Sequence, residues 1–402
     1  MNIILFCDPA IRQNLLPLTF TRPVSEIRVG IFTITEKWEH LAGMSVSFLT
    51  EKYLADKFSL EDDHSNFYIN GALLPNEALV EEIKSLKLGE ALYSGETLLA
   101  INGDNLDLRS PADIKDATTS VRRECVSTCT LVRNLWDIFV LNGSEIRSDF
   151  KVMTAGRVSH PVYDKATIVY NEENIFIEEG VKIRAAILNA ENGPIYLGKN
   201  AQVHEGAIIK GPFALGEESH INVGGKMRGD VSIGPHCKVG GEVAASVIFG
   251  YSNKGHEGYL GNSVLGEWCN IGADTNTSNL KNNYAEVKIW NYTKKGFVNT
   301  GQQFCGLIMG DHSKCGINTM FNTGTVVGVS ANIFGAGFPR NFIPSYSWGG
   351  AAGFETFQLR KAYEVAEKVM ERRNKHLDNT EKAILEHIFE ETQQYRVWDK
   401  KA

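Results

Sequence analysis

Apolar residues recur every six positions through the middle of the chain. Eight of these positions run in unbroken phase: Leu197, Val203, Ile209, Leu215, Ile221, Met227, Ile233 and Val239. Helical burial recurs every 3.6 residues and strand burial every two, so neither a helix nor a single strand explains the pattern. A period of six indicates a coil with one inward side chain on each face. We therefore predict a solenoid of stacked coils, a parallel β-helix, over residues 175–345.

The six-residue phase breaks twice and returns each time. It reappears at Leu265 and Ile271, and again at Met309, Cys315, Phe321, Val327 and Ile333. Repeat units bury their apolar faces only against neighbouring coils, and insertions fall on loops that often carry function. We therefore predict insertions at residues 241–264 and 277–308, and we look for chemistry there.

The flanking regions follow other patterns. Residues 1–155 alternate short apolar runs with amphipathic stretches, which predicts a Rossmann-like α/β domain with a mostly parallel sheet. Residues 156–174 form the predicted connector. The tail, residues 346–402, carries apolar residues at helical spacing in two stretches. We expect two amphipathic helices that pack against the solenoid or a sister subunit.

Composition excludes several classes of protein. The chain has 402 residues, a net charge of −7 and no run of like charges, so nothing points to nucleic acid or to a membrane as partner. The first apolar run is too short for a signal peptide. The seven cysteines are scattered without a CxxC pair, which favours neither disulfides nor zinc. We expect a cytoplasmic protein, and we interpret His204, His220 and His236 as corner residues rather than metal ligands.

The most specific stretch is HEGYLGNSVLGEWCNIGADTNTSNLKNN, residues 256–283. It resembles the motif H-x-x-Y-L-G followed by N-I-G-A-x-T-x-T-x-N of the bifunctional N-acetylglucosamine-1-phosphate uridyltransferase/glucosamine-1-phosphate acetyltransferase family. The ending Asn279-Leu280-Lys281 and the insertion after it look more like the archaeal-type sugar-1-phosphate nucleotidyltransferases that also acetylate amino sugars. The resemblance implies a left-handed β-helix, acetyl-CoA as co-substrate and a homotrimer.

Acetyl transfer from a thioester to an amine needs a base, a donor for the developing oxyanion and a grip on the sugar phosphate. His256 is the candidate base, because an imidazole titrates near neutrality; a plain loop histidine is the alternative. The resemblance implies the other roles. Ala273 would offer its N–H to the oxyanion, Asn270 and Asn279 would hold the sugar, and Tyr259 would place the phosphate. Candidate phosphate ligands are Arg228, Lys254 and Lys281.

Some positions depart from the family pattern. The family's lysine about twelve residues before the histidine has no counterpart, since Ala244 and Ala245 stand there. Asp274 and Leu280 replace the Gly and Tyr of bacterial members. These changes bear on which sugar or acyl donor is accepted.

The stretch LLPLTFTRPVSEIRVGIFTITEKW, residues 15–38, follows the first strand. It looks like the signature of a divergent nucleotidyltransferase branch in which T-R-P and E-K-W replace the usual glycine-rich loop. Arg22, Arg28, Gly30 and Lys37 are then candidates for binding the phosphates of UTP or dTTP, because a triphosphate needs close backbone approach and cationic charge. The alternative is a connector with surface charges.

Residues 98–104, LLAINGD, indicate a buried strand that ends in Gly103-Asp104. The ending resembles the metal-binding G-D of sugar nucleotidyltransferases. Open α/β sheets bind ligands beyond the carboxyl ends of their strands, and Mg²⁺ takes one or two carboxylates plus substrate phosphates. Asp104 is the proposed Mg²⁺ ligand and Gly103 part of the nucleotide site; a strand-end turn is the alternative.

These patterns together predict a two-domain transferase. The first domain would join a sugar 1-phosphate to a nucleoside triphosphate, as in UDP-N-acetylglucosamine synthesis, and the β-helix would acetylate an amino-sugar 1-phosphate such as glucosamine 1-phosphate. Two alternatives stay open: an acyltransferase with a degenerate first domain, and a non-catalytic trimeric scaffold.

Overall fold

The structure is a computed structural model that describes residues 2–61, 65–104, 106, 108, 110–115 and 121–401. Its backbone contacts divide the chain into two units. The first contains Met1–Ile27 and Phe32–Leu135, and the second contains Arg28–Ile31 and Trp136–Ala402. The division after residue 135 differs from the predicted boundary at 155, because the helix that follows residue 135 packs with the second unit.

The first unit holds eight strands and three helices among its described residues. The strands are β1 (Asn2–Phe6), β2 (Val46–Leu49), β3 (Asn66–Asn70), β4 (Leu73–Leu74), β5 (Glu90–Ser94), β6 (Thr97–Gly103), β7 (Val121–Glu124) and β8 (Thr130–Leu131). The helices are α1 (Pro9–Asn14), α2 (Ile34–Ala42) and α3 (Glu77–Lys84). Short 3₁₀ turns cover Val24–Glu26, Lys52–Leu54 and Pro111–Lys115.

The main sheet of this unit is mixed, with the strand order β2-β1-β3-β6-β5-β7. Strand β1 runs parallel to β2 and β3, but β6 runs antiparallel to both β3 and β5. The predicted mostly parallel sheet is therefore wrong at β6. That strand is buried on both faces, so its apolar run looks like a parallel strand. In fact a two-residue turn joins it to β5, and only antiparallel neighbours allow such a turn.

Helix α2 has strong local end signals. The Thr33 side chain accepts from the Glu36 N–H at 3.2 Å, and the Glu36 carboxylate accepts from the Thr33 N–H at 2.6 Å, which forms a capping box. Gly43, at φ +65°, ends the helix. Trp38 then fixes the helix on the sheet, because its indole N–H donates to the Leu73 carbonyl at 2.9 Å.

The second unit begins with α4 (Asp137–Thr154) and then forms three long sheets of short strands. One sheet contains β10 (Ile175–Ile177), β13 (Ile195–Leu197), β16 (Phe213–Leu215), β19 (Val231–Ile233), β22 (Val247–Ile248), β25 (Val264–Leu265), β30 (Leu307–Met309), β33 (Thr325–Val327) and β35 (Phe342–Ile343). The next contains β11 (Lys182–Ile183), β14 (Gln202–Val203), β17 (His220–Ile221), β20 (Lys238–Val239), β23 (Asn253–Lys254), β26 (Asn270–Ile271), β31 (Lys314–Cys315), β34 (Asn332–Ile333), β36 (Ser347–Gly350) and β37 (Gly353–Thr356). The third contains β9 (Ile168–Tyr170), β12 (Ile187–Asn189), β15 (Ile208–Lys210), β18 (Lys226–Met227), β21 (Glu242–Ala244) and β24 (Tyr259–Gly261).

These sheets are the three sides of a left-handed parallel β-helix, as predicted. Strands one coil apart pair in parallel, for example Phe213 with Val231 and His220 with Lys238. Each of the eight positions of the six-residue repeat is at most 2% exposed. The repeat therefore lines the core of the β-helix.

The two predicted interruptions differ in nature. Residues 241–264 are not an insertion, because β21 to β24 continue all three sides of the coil. Each coil contains fewer residues there, as the pairing of Ser232 with Val247 and of Lys238 with Asn253 shows. Shorter corners break the six-residue phase while strand stacking persists. Residues 277–308 do hold an insertion, the antiparallel hairpin of β28 (Lys288–Asn291) and β29 (Gly296–Asn299). Beside it, β27 (Asn276–Thr277) pairs with β32 (Met320–Phe321).

The tail contains the two predicted amphipathic helices, α5 (Leu359–Glu371) and α6 (Asn379–Glu391). The 3₁₀ turns Thr392–Tyr395 and Val397–Lys401 follow them. The Tyr346 hydroxyl donates to the Leu385 carbonyl at 2.6 Å and so ties α6 to the end of the β-helix. The β-helix also extends beyond the predicted limits, since β9 lies in the predicted connector and β36 in the predicted tail. No helix in the described part of the chain is long and apolar enough to cross a bilayer.

Candidate functional site

His256 lies on a corner loop, residues 255–258, between β23 and β24. Every carbonyl of this loop accepts a hydrogen bond. Gly255 O accepts from Asn222 Nδ2 at 2.8 Å and His256 O from Lys254 Nζ at 2.8 Å. Glu257 O accepts from the Asp274 N–H at 3.0 Å, and Gly258 O from the Glu242 N–H at 3.1 Å. The loop backbone is therefore fixed on all sides, while the His256 side chain is exposed.

Lys254 is not an exposed phosphate ligand, contrary to the prediction. It is 2% exposed and pairs with Val239 in the inner column of the β-helix. Burial lowers the pKa of its ammonium to about 8. The prediction failed because the shortened coil shifted the phase, so an inner position could not be recognised at residue 254.

Tyr259 and Asn279 meet directly across adjacent coils. Asn279 Nδ2 donates to the Tyr259 hydroxyl at 3.1 Å and to Asn262 Oδ1 at 2.8 Å. The Tyr259 ring lies over Gly261, where an added Cβ would lie 2.3 Å from the hydroxyl oxygen. Burial raises the pKa of Tyr259, and the Asn279 hydrogen bond opposes that rise. The phenol thus stays protonated and can donate to a ligand oxygen.

Arg228 lies near this pair on the same side of the β-helix. Its Nη1 donates to Glu242 Oε1 at 2.7 Å, and both side chains are partly exposed. The ion pair raises the pKa of Arg228. Lys281 lies on the following loop, where its Nζ donates to the Glu286 carbonyl at 2.7 Å.

A cavity with a volume of about 760 Å³ lies beside the predicted residues. His256, Asn270 and Ala273 line it, and two stacked aromatic rings, Tyr251 and Trp268, lie beside them with centroids 4.3 Å apart. The structure therefore brings three of the predicted residues to one cavity. Tyr259, Asn279 and Arg228 form a second group, which the loop 255–258 connects to the first.

The wall of this cavity comes from α5, which the sequence analysis assigned only to packing. Val365 and Val369 line it from that helix, and Arg372 and Arg373 line it from just after the helix end. Lys238 and Lys314 line it from the β-helix. Arg373 Nη2 donates to Asn253 Oδ1 at 3.3 Å. Burial lowers the pKa of Lys314 to about 8, and its Nζ donates to the His312 carbonyl at 2.8 Å. The pair Arg372-Arg373 at the end of an amphipathic stretch was the sequence signal that could have identified this wall.

In the first unit, the segments that carry Arg22 and Lys37 lie at the carboxyl ends of β1 and β3, where Gly71 after β3 adjoins Ser25. The Val24 N–H donates to Cys7 Sγ at 3.4 Å just after β1, and Thr35 of α2 donates to the Ser25 carbonyl at 3.2 Å. Both cationic side chains are less than 7% exposed. Ser25 lies between these two residues in the sequence. Its Oγ atom is buried and has no hydrogen-bond partner among the described residues.

Gly103 and Asp104 lie at the opposite ends of these strands, beside the amino ends of β1 and β3. Gly103 pairs with Asn66, the first residue of β3, which in turn pairs with Asn2, the first residue of β1. The edge with Arg22 lies four residues further along β3, about 13 Å away at 3.3 Å per residue. The prediction that Asp104 shares an edge with the phosphate-binding residues is wrong, because β6 runs antiparallel. A metal ion on Asp104 does not fit a triphosphate held by Arg22 and Lys37.

Arg28 and Gly30 fall in the second unit. The Gly30 N–H donates to Asn142 Oδ1 at 2.8 Å, and an added Cβ would lie 2.3 Å from Asp149 Oδ2. Arg28 donates to the Ile31 carbonyl. The Gly30 N–H, proposed for phosphates, therefore holds this segment on α4, and the Arg28 guanidinium, also proposed for phosphates, is hydrogen-bonded within the segment. No group of three or more His, Cys, Asp or Glu side chains among the described residues is placed to hold a metal.

The N-terminal part of the chain matches a known family of proteins. Residues 3–158 match the family model described as sugar nucleotidyl transferase. The chain is similar to the bifunctional protein GlmU of Methanocaldococcus jannaschii, with 39% identity over 87 residues, 22% of this chain and 21% of the relative. It is also similar to the bifunctional sugar-1-phosphate nucleotidylyltransferase/acetyltransferase of Sulfurisphaera tokodaii, with 36% identity over 93 residues, 23% of each chain. These matches confirm the predicted resemblance.

The chain spans about a fifth of the length of the curated relatives that it matches. Among solved structures, a hexapeptide transferase family protein from Anaplasma phagocytophilum covers 50% of this chain and 86% of its own, with 13% identity and a TM-score of 0.26. The β-helix architecture follows from the strand pairing within this chain alone.

Proposed function

We propose that this chain is a transferase with two activities. The β-helix acetylates an amino-sugar 1-phosphate, such as glucosamine 1-phosphate, from acetyl-CoA. The first unit joins a sugar 1-phosphate to UTP or dTTP with release of pyrophosphate. The observation that carries the proposal is the cavity that His256 shares with Asn270, Ala273 and a cationic helix wall. The family match of residues 3–158 supports the first activity.

The cavity suits an anionic, nucleotide-bearing thioester. Its volume of about 760 Å³ is typical of small-molecule sites. Lys238, Arg372 and Arg373 offer charge for phosphate groups, and guanidinium groups bind phosphates with two parallel hydrogen bonds. Tyr251 and Trp268 offer apolar surface for the rest of the molecule. We assign acetyl-CoA to this cavity.

The chemistry needs one base and one oxyanion donor. The amine nitrogen of the sugar attacks the thioester carbonyl carbon, and a C–N bond forms while the His256 imidazole takes the amine proton. The Ala273 N–H stabilises the negative oxygen of the tetrahedral intermediate. The C–S bond then breaks, and the leaving thiolate takes the proton from the imidazolium. Asn270 holds the sugar beside the cavity, while Tyr259 and Asn279 hold it from the second group.

The sugar phosphate requires a cation near the second group. Arg228 is the first candidate, since its guanidinium is 61% exposed and its carboxylate partner lies on the same surface. Lys281 is the second candidate, on the loop that follows Asn279. Lys254 is excluded from this role by its burial.

In the first unit, we place the nucleotide at the carboxyl edge of β1 and β3. Arg22 and Lys37 supply positive charge there, and the buried Ser25 hydroxyl has an unused hydrogen-bonding capacity among the described residues. This edge is where open α/β sheets bind ligands. No step of the proposal passes through a metal ion at Asp104.

One observation favours a second candidate function. Because Asp104 lies at the far edge of the sheet, the first unit lacks the predicted carboxylate beside its cationic residues. An acyltransferase with an inactive first unit would have this arrangement. A pyrophosphate assay separates the two possibilities.

We also propose a cytoplasmic homotrimer. All seven cysteines are free thiols, as in a reducing compartment. Large apolar side chains stand exposed on the β-helix: Val223, Ile317, Phe334 and Phe338. Exposed large apolar side chains are common at subunit contacts. Light scattering coupled to gel filtration should give three times the chain mass of 44.5 kDa.

The proposal is tested with the purified full chain. Thiol release is measured with acetyl-CoA and glucosamine 1-phosphate, and pyrophosphate release with UTP or dTTP and N-acetylglucosamine 1-phosphate. In His256→Asn we expect thiol release to fall about 1,000-fold, since a general base contributes about 10²–10⁴, with pyrophosphate release unchanged. The control is His387→Asn, which changes a partly exposed histidine of α6 that pairs with Glu391. Unchanged thiol release in His256→Asn would refute the assignment of the base.

A further inference from the structure

A lysine occupies an inner position of the β-helix that the fold otherwise fills with apolar residues. Val239 pairs with Lys254, and Ile271 pairs with Cys315 in the same sheet. Lys254 is 2% exposed, and Val239 and Ile271 on either side are at most 4% exposed. A buried ammonium is costly unless its protons are all used in hydrogen bonds.

The ammonium of Lys254 reaches two carbonyls at the corner of the coil. Its Nζ donates to Gly240 O at 3.0 Å and to His256 O at 2.8 Å. Gly241 makes room for it, because an added Cβ there would lie 2.7 Å from Nζ. The side chain therefore connects the inside of the β-helix to the backbone of the residue proposed as base.

The other donors to this loop come from outside the core. Asn222 holds Gly255, and backbone N–H groups of neighbouring coils hold Glu257 and Gly258. An exposed ion pair, Lys226 Nζ to Glu257 Oε2 at 3.2 Å, adds a surface contact. Among the described residues, the donor to the His256 carbonyl is Lys254.

We propose that Lys254 is a positioning residue that fixes the backbone of His256 and so directs its imidazole toward the cavity. The inference rests on the proposed role of His256 as base. Replacement of buried charges by apolar side chains of similar size is often neutral or stabilising. The presence of a lysine in an apolar column therefore points to geometry at His256 rather than to stability.

The test compares Lys254→Met with Lys226→Met in the full chain. Lys226→Met is the matched control, because it removes a partly exposed ammonium of β18 that pairs with Glu257 of the same loop. In Lys254→Met we expect kcat for thiol release to fall about 30-fold, with KM for both substrates within about twofold and an unchanged or higher melting temperature. Lys226→Met should stay within about twofold in every quantity. A merely structural role would lower the melting temperature and leave kcat intact.

Hydrogen exchange provides a readout that needs no activity. The amides of Tyr259 and Asp274 donate to Asn276 Oδ1 and to Glu257 O, and so report on the loop. We expect them to exchange about tenfold faster in Lys254→Met and at the parent rate in Lys226→Met. If the parent releases no thiol, the proposed function fails. Hydrogen exchange alone then decides whether Lys254 fixes the backbone of His256.

Two outcomes overturn the inference. The first is parent-like exchange at both amides in Lys254→Met, and the second is faster exchange without any loss of kcat in an active parent. Lys254→Gln keeps a neutral N–H donor. Its kcat and its amide exchange rates should lie between those of Lys254→Met and the parent. If Lys254→Met does not fold, the same comparison is made with Lys254→Gln.

Discussion

The two proposed sites differ in how sequence distance relates to distance in space. In the β-helix, His256, Asn270 and Ala273 lie within one coil of each other and line one cavity. In the first unit, Arg22 and Asp104 lie toward opposite ends of the strands of one sheet. A solenoid advances by a fixed step per coil, so neighbours in sequence stay neighbours in space. In a mixed sheet, the direction of a single strand decides which edge a residue reaches.

After the loss of about 1,000-fold expected for His256→Asn in the β-helix, the next largest effect is expected in the first unit. We expect Lys37→Met to lower pyrophosphate release about 100-fold, because loss of a buried charge contact to phosphate costs about 2–3 kcal/mol. Asp104→Asn should stay within about twofold, since this exposed side chain lies at the other edge. Circular dichroism checks that the Lys37 variant folds.

Equal losses in the Lys37 and Asp104 variants would contradict the placement of the nucleotide at the carboxyl edge. Absence of pyrophosphate release from the parent would instead favour the acyltransferase with an inactive first unit. Either result would sharpen the contrast between the two regions.

A smaller effect is expected at the helix wall of the cavity. The double variant Arg372→Gln/Arg373→Gln should raise KM for acetyl-CoA about tenfold, because charge-assisted hydrogen bonds are worth about 1.5–3 kcal/mol and solvent screens exposed ones. We expect kcat to stay within about twofold. Arg360→Gln is the control on the same helix, where the arginine pairs with Glu364 at 3.6 Å.

If the Arg360 variant changes KM as much as the double variant does, the effect is one of net charge and not of the cavity wall. An unchanged KM in the double variant would place acetyl-CoA elsewhere on the β-helix. Initial rates at varied acetyl-CoA measure both.

The smallest effect is expected at the second group of the β-helix. Tyr259→Phe removes one hydroxyl that accepts from Asn279 at 3.1 Å and is free to donate. We expect KM for the amino-sugar phosphate to rise about fivefold, which corresponds to about 1 kcal/mol for one hydrogen bond. Tyr163→Phe, which changes a tyrosine that is 81% exposed, is the control. A KM that moves for acetyl-CoA and not for the sugar would reverse the assignment of the two groups.

Sequence and structure agree best where interactions are local or periodic. The six-residue repeat was predictable because one apolar residue per step is required to fill a coil, and the two tail helices because their apolar residues recur at helical spacing. An insertion in residues 277–308 was also predicted, although its hairpin was not. The motif 256–283 identified His256, Asn270 and Ala273. It did so because adjacent coils bring one short segment to one cavity.

The sequence alone determined the β-helix and the proximity of His256, Asn270 and Ala273 in its central coils. Only the tertiary structure decided that β6 runs antiparallel, which moves Asp104 to the far edge, and that Lys254 lies inside the core. It also decided that α5 forms the cavity wall. Strand direction and the phase of shortened coils depend on contacts between distant segments, and an apolar pattern records that a residue is buried without recording against what.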